Sequence, residues 1–142
     1  MQKVKIVETP IEKEHAFDVR RKVFVDEQGV PLHVEMDEYD DSAVHFIGYD
    51  LEQPIAAARI REIESGIGKI ERVCVLPDFR GQHAGVLMMN EMEEYARSAG
   101  FFTLKLNSQS YAIPFYEKLG YEVSSPEFMD AGIPHRAMTK TL

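Results

Sequence analysis

The sequence has one cysteine, no tryptophan and no long apolar run. A single cysteine excludes an intrachain disulfide, and nothing else points to an oxidising compartment. Cys74 lies in the apolar run Val73-Cys74-Val75-Leu76, where a thiol usually packs rather than reacts. A bilayer-spanning helix needs about 18 consecutive apolar residues, and no stretch approaches that. The amino-terminal MQKVKIVETP alternates charged and apolar residues, unlike the apolar block of a signal peptide. The cytoplasm is therefore the expected location. Basic residues are also in deficit: 16 Lys and Arg stand against 24 Asp and Glu, a net charge of −8. That balance lacks the basic face needed for nucleic acid or an anionic membrane. It favours a cationic or amine-bearing partner. No grouping of His, Cys and acidic residues has metal-ligand spacing, so no metal site is expected.

What is present is the patterning of one α/β domain over residues 1–142. Residues 2–8 alternate and predict a strand. Thr9-Pro10-Ile11-Glu12 is a helix start, with an N-cap, a proline in the first turn and a capping box. Ala16, Val19 and Val23 form its apolar stripe, and Gly29 and Pro31 end the helical region. The acidic stretch 26–41, DEQGVPLHVEMDEYDD, reads as a loop or short irregular helix. Strands follow over 43–50, 55–64 and 69–76, separated by turn signals. A helix over 84–99 buries Met89, Met92, Ala96 and Ala99, and Gly100 caps it. A strand over 102–107, a short helix over 112–119, and strands at 121–124 and 135–141 complete the chain, with SPEFMDAGIP as a loop. The order predicts a mixed, mostly antiparallel sheet of six or seven strands with helices on both faces. The unit through 69–107 supplies its parallel pair.

Arg80-Gly81-Gln82-His83-Ala84-Gly85 falls between a strand and a helix. The first N–H groups of a helix lack intrahelical partners, and the dipole makes that end partly positive. A pyrophosphate can sit there, with Arg80 adding a charge-assisted contact. Read alone, the string fits an ordinary turn equally well. It lacks the Gly-Lys-Ser/Thr of a P-loop and the three-glycine dinucleotide spacing.

Taken together, ERVCVLPDFRGQHAG, the strand ending KLN, and AIPFYEKLGY resemble the GCN5-related N-acetyltransferase (GNAT) family. RRKVFVDEQGV, EMDEYDD and DAGIPHRAM resemble its small bacterial YjcF/ElaA-like group. The family pattern V-x-V, R/Q-x-x-G-x-G/A and F-Y-x-x-x-G-F/Y maps onto Val73–Val75, Arg80–Gly85 and Phe115–Tyr121. One position departs: His83 replaces the middle glycine, and a positive φ there would suit histidine less well.

The resemblance implies a single domain that uses acetyl-coenzyme A and acetylates an amine, as a monomer or homodimer. It implies a strand splayed from its neighbour, with the backbone of Val73, Cys74 and Val75 holding the pantetheine arm. Arg80, Gly81, Gln82, His83, Ala84 and Gly85 would take the pyrophosphate, and Asn107 and Phe115 would border the cofactor. Tyr116 would protonate the departing thiolate; the alternative is a core tyrosine. Glu71, read as sharing a face with Val73 and Val75, would take the amine proton. Its carboxyl ordinarily titrates near ~4.3, so burial would have to raise it. The alternative is an Arg-paired strand glutamate. Glu27, Gln28, Glu35, Asp37 and His135 are candidates for the acceptor pocket, against a solvated acidic surface and structural histidines; His45 is a weaker one. Two other readings stay open: a non-catalytic coenzyme A-binding sensor, and an interaction domain without a cofactor site.

Overall fold

The computed structural model describes residues 2–142. Eight strands form one sheet: β1 (Gln2–Ile6), β2 (Val44–Asp50), β3 (Gln53–Glu64), β4 (Ile67–Val75), β5 (Thr103–Gln109), β6 (Glu122–Val123), β7 (Phe128–Asp130) and β8 (Ile133–Thr141). The spatial order is β1-β2-β3-β4-β5-β8-β6, and β7 also pairs with β8. Among the described residues, only β4 and β5 run parallel. The stretch expected as a loop instead contributes β7. Ala131 (φ 51°) and Gly132 (φ 76°) close a two-residue hairpin onto β8, the backbone that a tight turn between twisted strands demands.

Helix α1 (Pro10–Arg20) starts as the sequence predicts: Thr9 accepts from the Glu12 N–H, and the Glu12 carboxylate accepts from the Thr9 N–H. It runs on as a π-helical segment, Arg21–Glu27. The acidic stretch folds into α2 (Leu32–Glu35) and a 3₁₀ turn, Glu38–Asp41. Helix α3 (Ala84–Ser98) and the short α4 (Ile113–Lys118) follow.

Two apolar clusters sandwich the sheet. On one face, Met88, Met89, Met92 and Ala96 of α3 meet Phe46, Ile60, Ile70 and Leu104. Ala99, expected on that stripe, caps the helix and is exposed. On the other face, Ala16, Val19 and Val23 meet Ile47, Ala57 and Cys74. Each large buried side chain stabilises the fold by about 1.5–3 kcal/mol relative to exposure.

The α1 face also carries charge. Arg20 and Arg59 are both fully buried. Arg20 donates to Glu35 (2.8 Å) and Asp40 (2.6 Å). Arg59 donates to Asp37 (2.7 Å), Asp40 (2.8 Å) and Glu71 (3.2 Å). Three carboxylates of the acidic stretch, Glu35, Asp37 and Asp40, are thus wired to buried cations, while Asp26, Glu27, Glu38 and Asp41 are exposed. Arg59 lies in a strand of small apolar residues, so periodicity gave no hint of this partner. Breaking such a pair leaves buried charge uncompensated. Arg59→Met should lower stability by about 3–5 kcal/mol in urea unfolding. Burial acts to raise the Asp40 pKa, but Arg20 and Arg59 outweigh it and hold the carboxyl at about 2, below its usual 3.8. A depressed pKa stabilises above the unfolded value and loses that contribution as pH falls through the folded one. The urea midpoint should therefore drop between pH 3.8 and about 2, with a smaller drop in Asp40→Asn; equal slopes in both proteins would refute the coupling.

Candidate active site

β4 and β5 pair from Ile67↔Thr103 to Ile70↔Leu106 and then part. The cause lies in β4. Opposite β3, Ala57 pairs with Cys74 and Arg59 with Glu71, so β4 carries one extra residue. Arg72 adopts φ 61°, a left-handed conformation costing about 1–2 kcal/mol for a residue with a Cβ. It is a β-bulge, which bends its strand and increases the local twist. Arg72 is held there by α2: its guanidinium donates to the carbonyls of Val34 and Glu35, each at 3.2 Å, and to Asp37.

Beyond the bulge the β5-facing edge of Val73–Val75 has no strand partner. A cavity of about 520 Å³ opens along it, lined by Val73, Val75, Leu106, Asn107, Phe115 and Tyr116 among others. That volume suits a small-molecule ligand. Backbone groups left unpaired in such a split can be satisfied by an extended ligand arm.

At one end the cavity meets the start of α3. His83, the N-cap, has φ 66° and provides no side-chain cap, and no acidic residue occupies the first turn. The N–H groups of that turn therefore remain available to an anion. Gly81 (φ 79°), Ala84 and Gly85 line the cavity, while Gln82 and His83 are exposed. Gly85 is small for a packing reason: a Cβ there would meet the Phe115 ring at 3.1 Å. Phe115 sits edge-on to Tyr116 with ring centres 5.0 Å apart. Tyr116 is buried against the α3-face core but also lines the cavity. Burial raises its pKa above the ordinary phenol value, so it is neutral at physiological pH. Its hydroxyl bonds to none of the described residues.

The family model for the acetyltransferase (GNAT) domain matches residues 9–142. The chain belongs to the GNAT family. It is 46% identical over 126 residues to the N-acetyltransferase YjcF of Bacillus subtilis (strain 168), itself uncharacterised, covering 88% of this chain and 89% of that protein. Among solved structures, Escherichia coli ElaA superposes with a TM-score of 0.87 at 22% identity, covering 99% of both chains. An aminoglycoside 6′-N-acetyltransferase complexed with coenzyme A superposes at 0.75 with 15% identity, covering 98% of this chain and 96% of that one. GNAT enzymes move an acyl group from an acyl-coenzyme A to an amine.

Within this GNAT fold several expected residues have other surroundings. Ile70, Val73 and Val75 face the α3 core, whereas Cys74 faces α1. The extra residue reverses the alternation, so Glu71 lies on the α1 face and not with Val73 and Val75, although it still lines the cavity. There it pairs with Arg59 (3.0 Å), Arg61 (2.8 Å) and Lys69 (3.5 Å). Burial acts to raise its pKa, but the Arg61 hydrogen bond and the Arg59 and Lys69 charges outweigh it, and the net shift is downward. This is opposite to the shift a base would need. Cys74 donates to the Ala57 carbonyl, and burial pushes its thiol up to about 12.

The expected acceptor carboxylates are likewise engaged. Glu27 pairs at 2.6 Å with Arg80, which lines the cavity, while Arg80 Nε donates to the Val75 carbonyl. Glu35 is buried on Arg20, and Asp37 pairs with Arg59 and Arg72. Gln28 and Gln109 hydrogen-bond each other at 2.9 Å beside the cavity. Asn107 lies within β5, which continues to Gln109, two residues past the expected strand end. His135 lines the cavity from β8, and His45 is a buried structural histidine bonded to the Asp40 carbonyl. Arg72 was not anticipated; the only sequence signal is an arginine next to the V-x-V strand.

His83→Gly removes a Cβ from left-handed backbone, which should stabilise the fold by about 1 kcal/mol and raise the melting midpoint by a few degrees. His83→Val, β-branched at the same φ, should lower it; a melting scan of the three proteins decides.

Proposed function

We propose that this chain transfers an acetyl or other short acyl group from acetyl-coenzyme A to a primary amine, by direct attack of the amine on the thioester. One observation carries the reading. The sheet is split between β4 and β5, the split ends at an uncapped helix start, and a neutral, unpartnered phenol borders it.

Bound acetyl-coenzyme A would supply the activated thioester. The backbone of Val73 and Val75 would hold the pantetheine arm by strand-like hydrogen bonds, with Cys74 between them paired to Ala57 of β3, and a β4 N–H near Val73 would polarise the thioester carbonyl. N–H groups of Gly81 through Gly85 would face the pyrophosphate. Arg80 would join them by exchanging Glu27 for phosphate oxygens, a charge-assisted contact of the same kind. Phe115 packs Tyr116 in place, and Tyr116, kept neutral by burial, would donate its proton to the departing sulfur. Asn107 lies along the same cavity and would contact the arm near its end.

A specific observation favours a second reading, a non-catalytic coenzyme A-binding module. His83 occupies a strained left-handed position, and Glu27 already occupies Arg80. Purified protein incubated with acetyl-coenzyme A and a panel of primary amines should release free thiol. Tyr116→Phe should lower kcat by about 10²-fold or more with coenzyme A affinity retained. Calorimetric binding without thiol release from any amine would favour the second reading, and an undiminished kcat in Tyr116→Phe would remove the phenol from the chemistry.

A further inference from the structure

Acyl transfer to an ammonium needs a proton acceptor, and Glu71 is held by three cations with its pKa lowered. Glu35 and Asp37 are spent on Arg20, Arg59 and Arg72. Of the other proton-accepting groups on the cavity wall, Lys69 is paired with Glu71 and Asp130 is exposed at the end of β7, whereas His135 is enclosed. His135 is 8% exposed and lines the cavity from β8. Its Nδ1 lies 2.7 Å from the Ile133 carbonyl oxygen. A carbonyl only accepts, so Nδ1 must carry the hydrogen, and in the neutral ring Nε2 keeps its lone pair. Nε2 bonds to none of the described residues, and it is not among the buried polar atoms sealed without a partner. Phe128 stacks on the ring with centres 6.0 Å apart and planes 22° apart, which fixes its direction.

The strand register places this base. His135 pairs with Gln109 across β5, and Asn107 lies diagonally beside it. Met138, three residues along β8, packs into the α3-face core with Leu104, Leu106 and Tyr116. Alternation therefore turns His135 to the opposite face, where the Gln28–Gln109 bond ties β5 to the end of the α1 segment. Tyr116 and His135 thus border one cavity from the two sides of the split sheet.

We propose that His135 is the general base of this enzyme. The assignment rests on the acyl-transfer reading above. Nε2 takes one proton from the acceptor ammonium and passes it to solvent. The amine lone pair forms the C–N bond at the thioester carbonyl, and the C–S bonding pair leaves with sulfur. Tyr116 protonates that sulfur, and the second nitrogen proton, relayed by solvent, restores the phenol. Acyl-coenzyme A and ammonium become amide, free thiol and one released proton.

The test uses the full chain with an amine that the wild type acetylates. His135→Ala should lower kcat by about 10²- to 10³-fold, leaving the calorimetric coenzyme A affinity and the melting midpoint as in wild type. Added imidazole should recover part of that loss, and His135→Gln, similar in size but without a base, should stay slow. Nitrogen-15 spectra, assigned by the signal missing in His135→Gln, should show the neutral ring as the tautomer with its hydrogen on Nδ1 and a bare Nε2. A kcat within twofold of wild type in His135→Ala, no imidazole rescue, the other tautomer, or a parallel loss of folding and coenzyme A binding would each overturn the base assignment alone. A wild type that releases thiol with no amine would overturn the transfer reading, and the base with it.

Discussion

Arg72 carries a left-handed backbone in the middle of a strand, and three acceptors on and next to α2 keep its side chain in place. A residue with a Cβ holds such a φ only when its surroundings over-determine it. The bulge it makes has two consequences. It ends the β4–β5 ladder after Ile70, opening the cavity. It also reverses the side-chain alternation, sending Val73 and Val75 to the α3 core and leaving Glu71 on the α1 face. Cavity and charge network therefore share one origin.

The network is the counterweight to that strain. Arg20 and Arg59 are buried among Glu35, Asp37, Asp40 and Glu71, and Arg72 joins at its edge. Buried ion pairs add little net stability compared with an apolar replacement, but removing one partner is costly. Their contribution here is positional. They fasten α2 and the 3₁₀ turn to β3 and β4, and α2 supplies the carbonyls that hold Arg72. The acidic surplus of the chain is thus partly internal, and the α1 face is organised by charge where the α3 face is organised by methionine and aliphatic packing.

A split sheet can be reached from both faces. The α3 side presents Tyr116, buried and neutral; the α1 side presents His135, whose tautomer is set by a backbone carbonyl. A buried phenol and an imidazole thus lie along one gap, on opposite sides of the sheet. One sits on a helix packed on the core, and the other on a strand where its cross-strand neighbour Phe128 of β7 stacks on the ring.

By itself, the sequence determined what short-range rules govern. The capping box at Thr9, the apolar stripes of α1 and α3, the meander from β2 to β4, and the glycine-bearing turn before α3 all follow from spacing and local sterics. It also carried the motifs that resemble the GNAT family, and with them Tyr116 and the turn at Arg80–Gly85. The warning at His83 was legible too, because a glycine-type φ is a local property. Only the tertiary structure decided the rest. Period-two reasoning put Glu71 beside Val73 and could not see a bulge that depends on contacts with α2. The β7 strand needs β8 to exist, and the partners of Glu35 and Asp37 come from a helix and strands remote in sequence. Pairings between distant segments set those positions, and a one-residue shift in register changes which face each side chain meets.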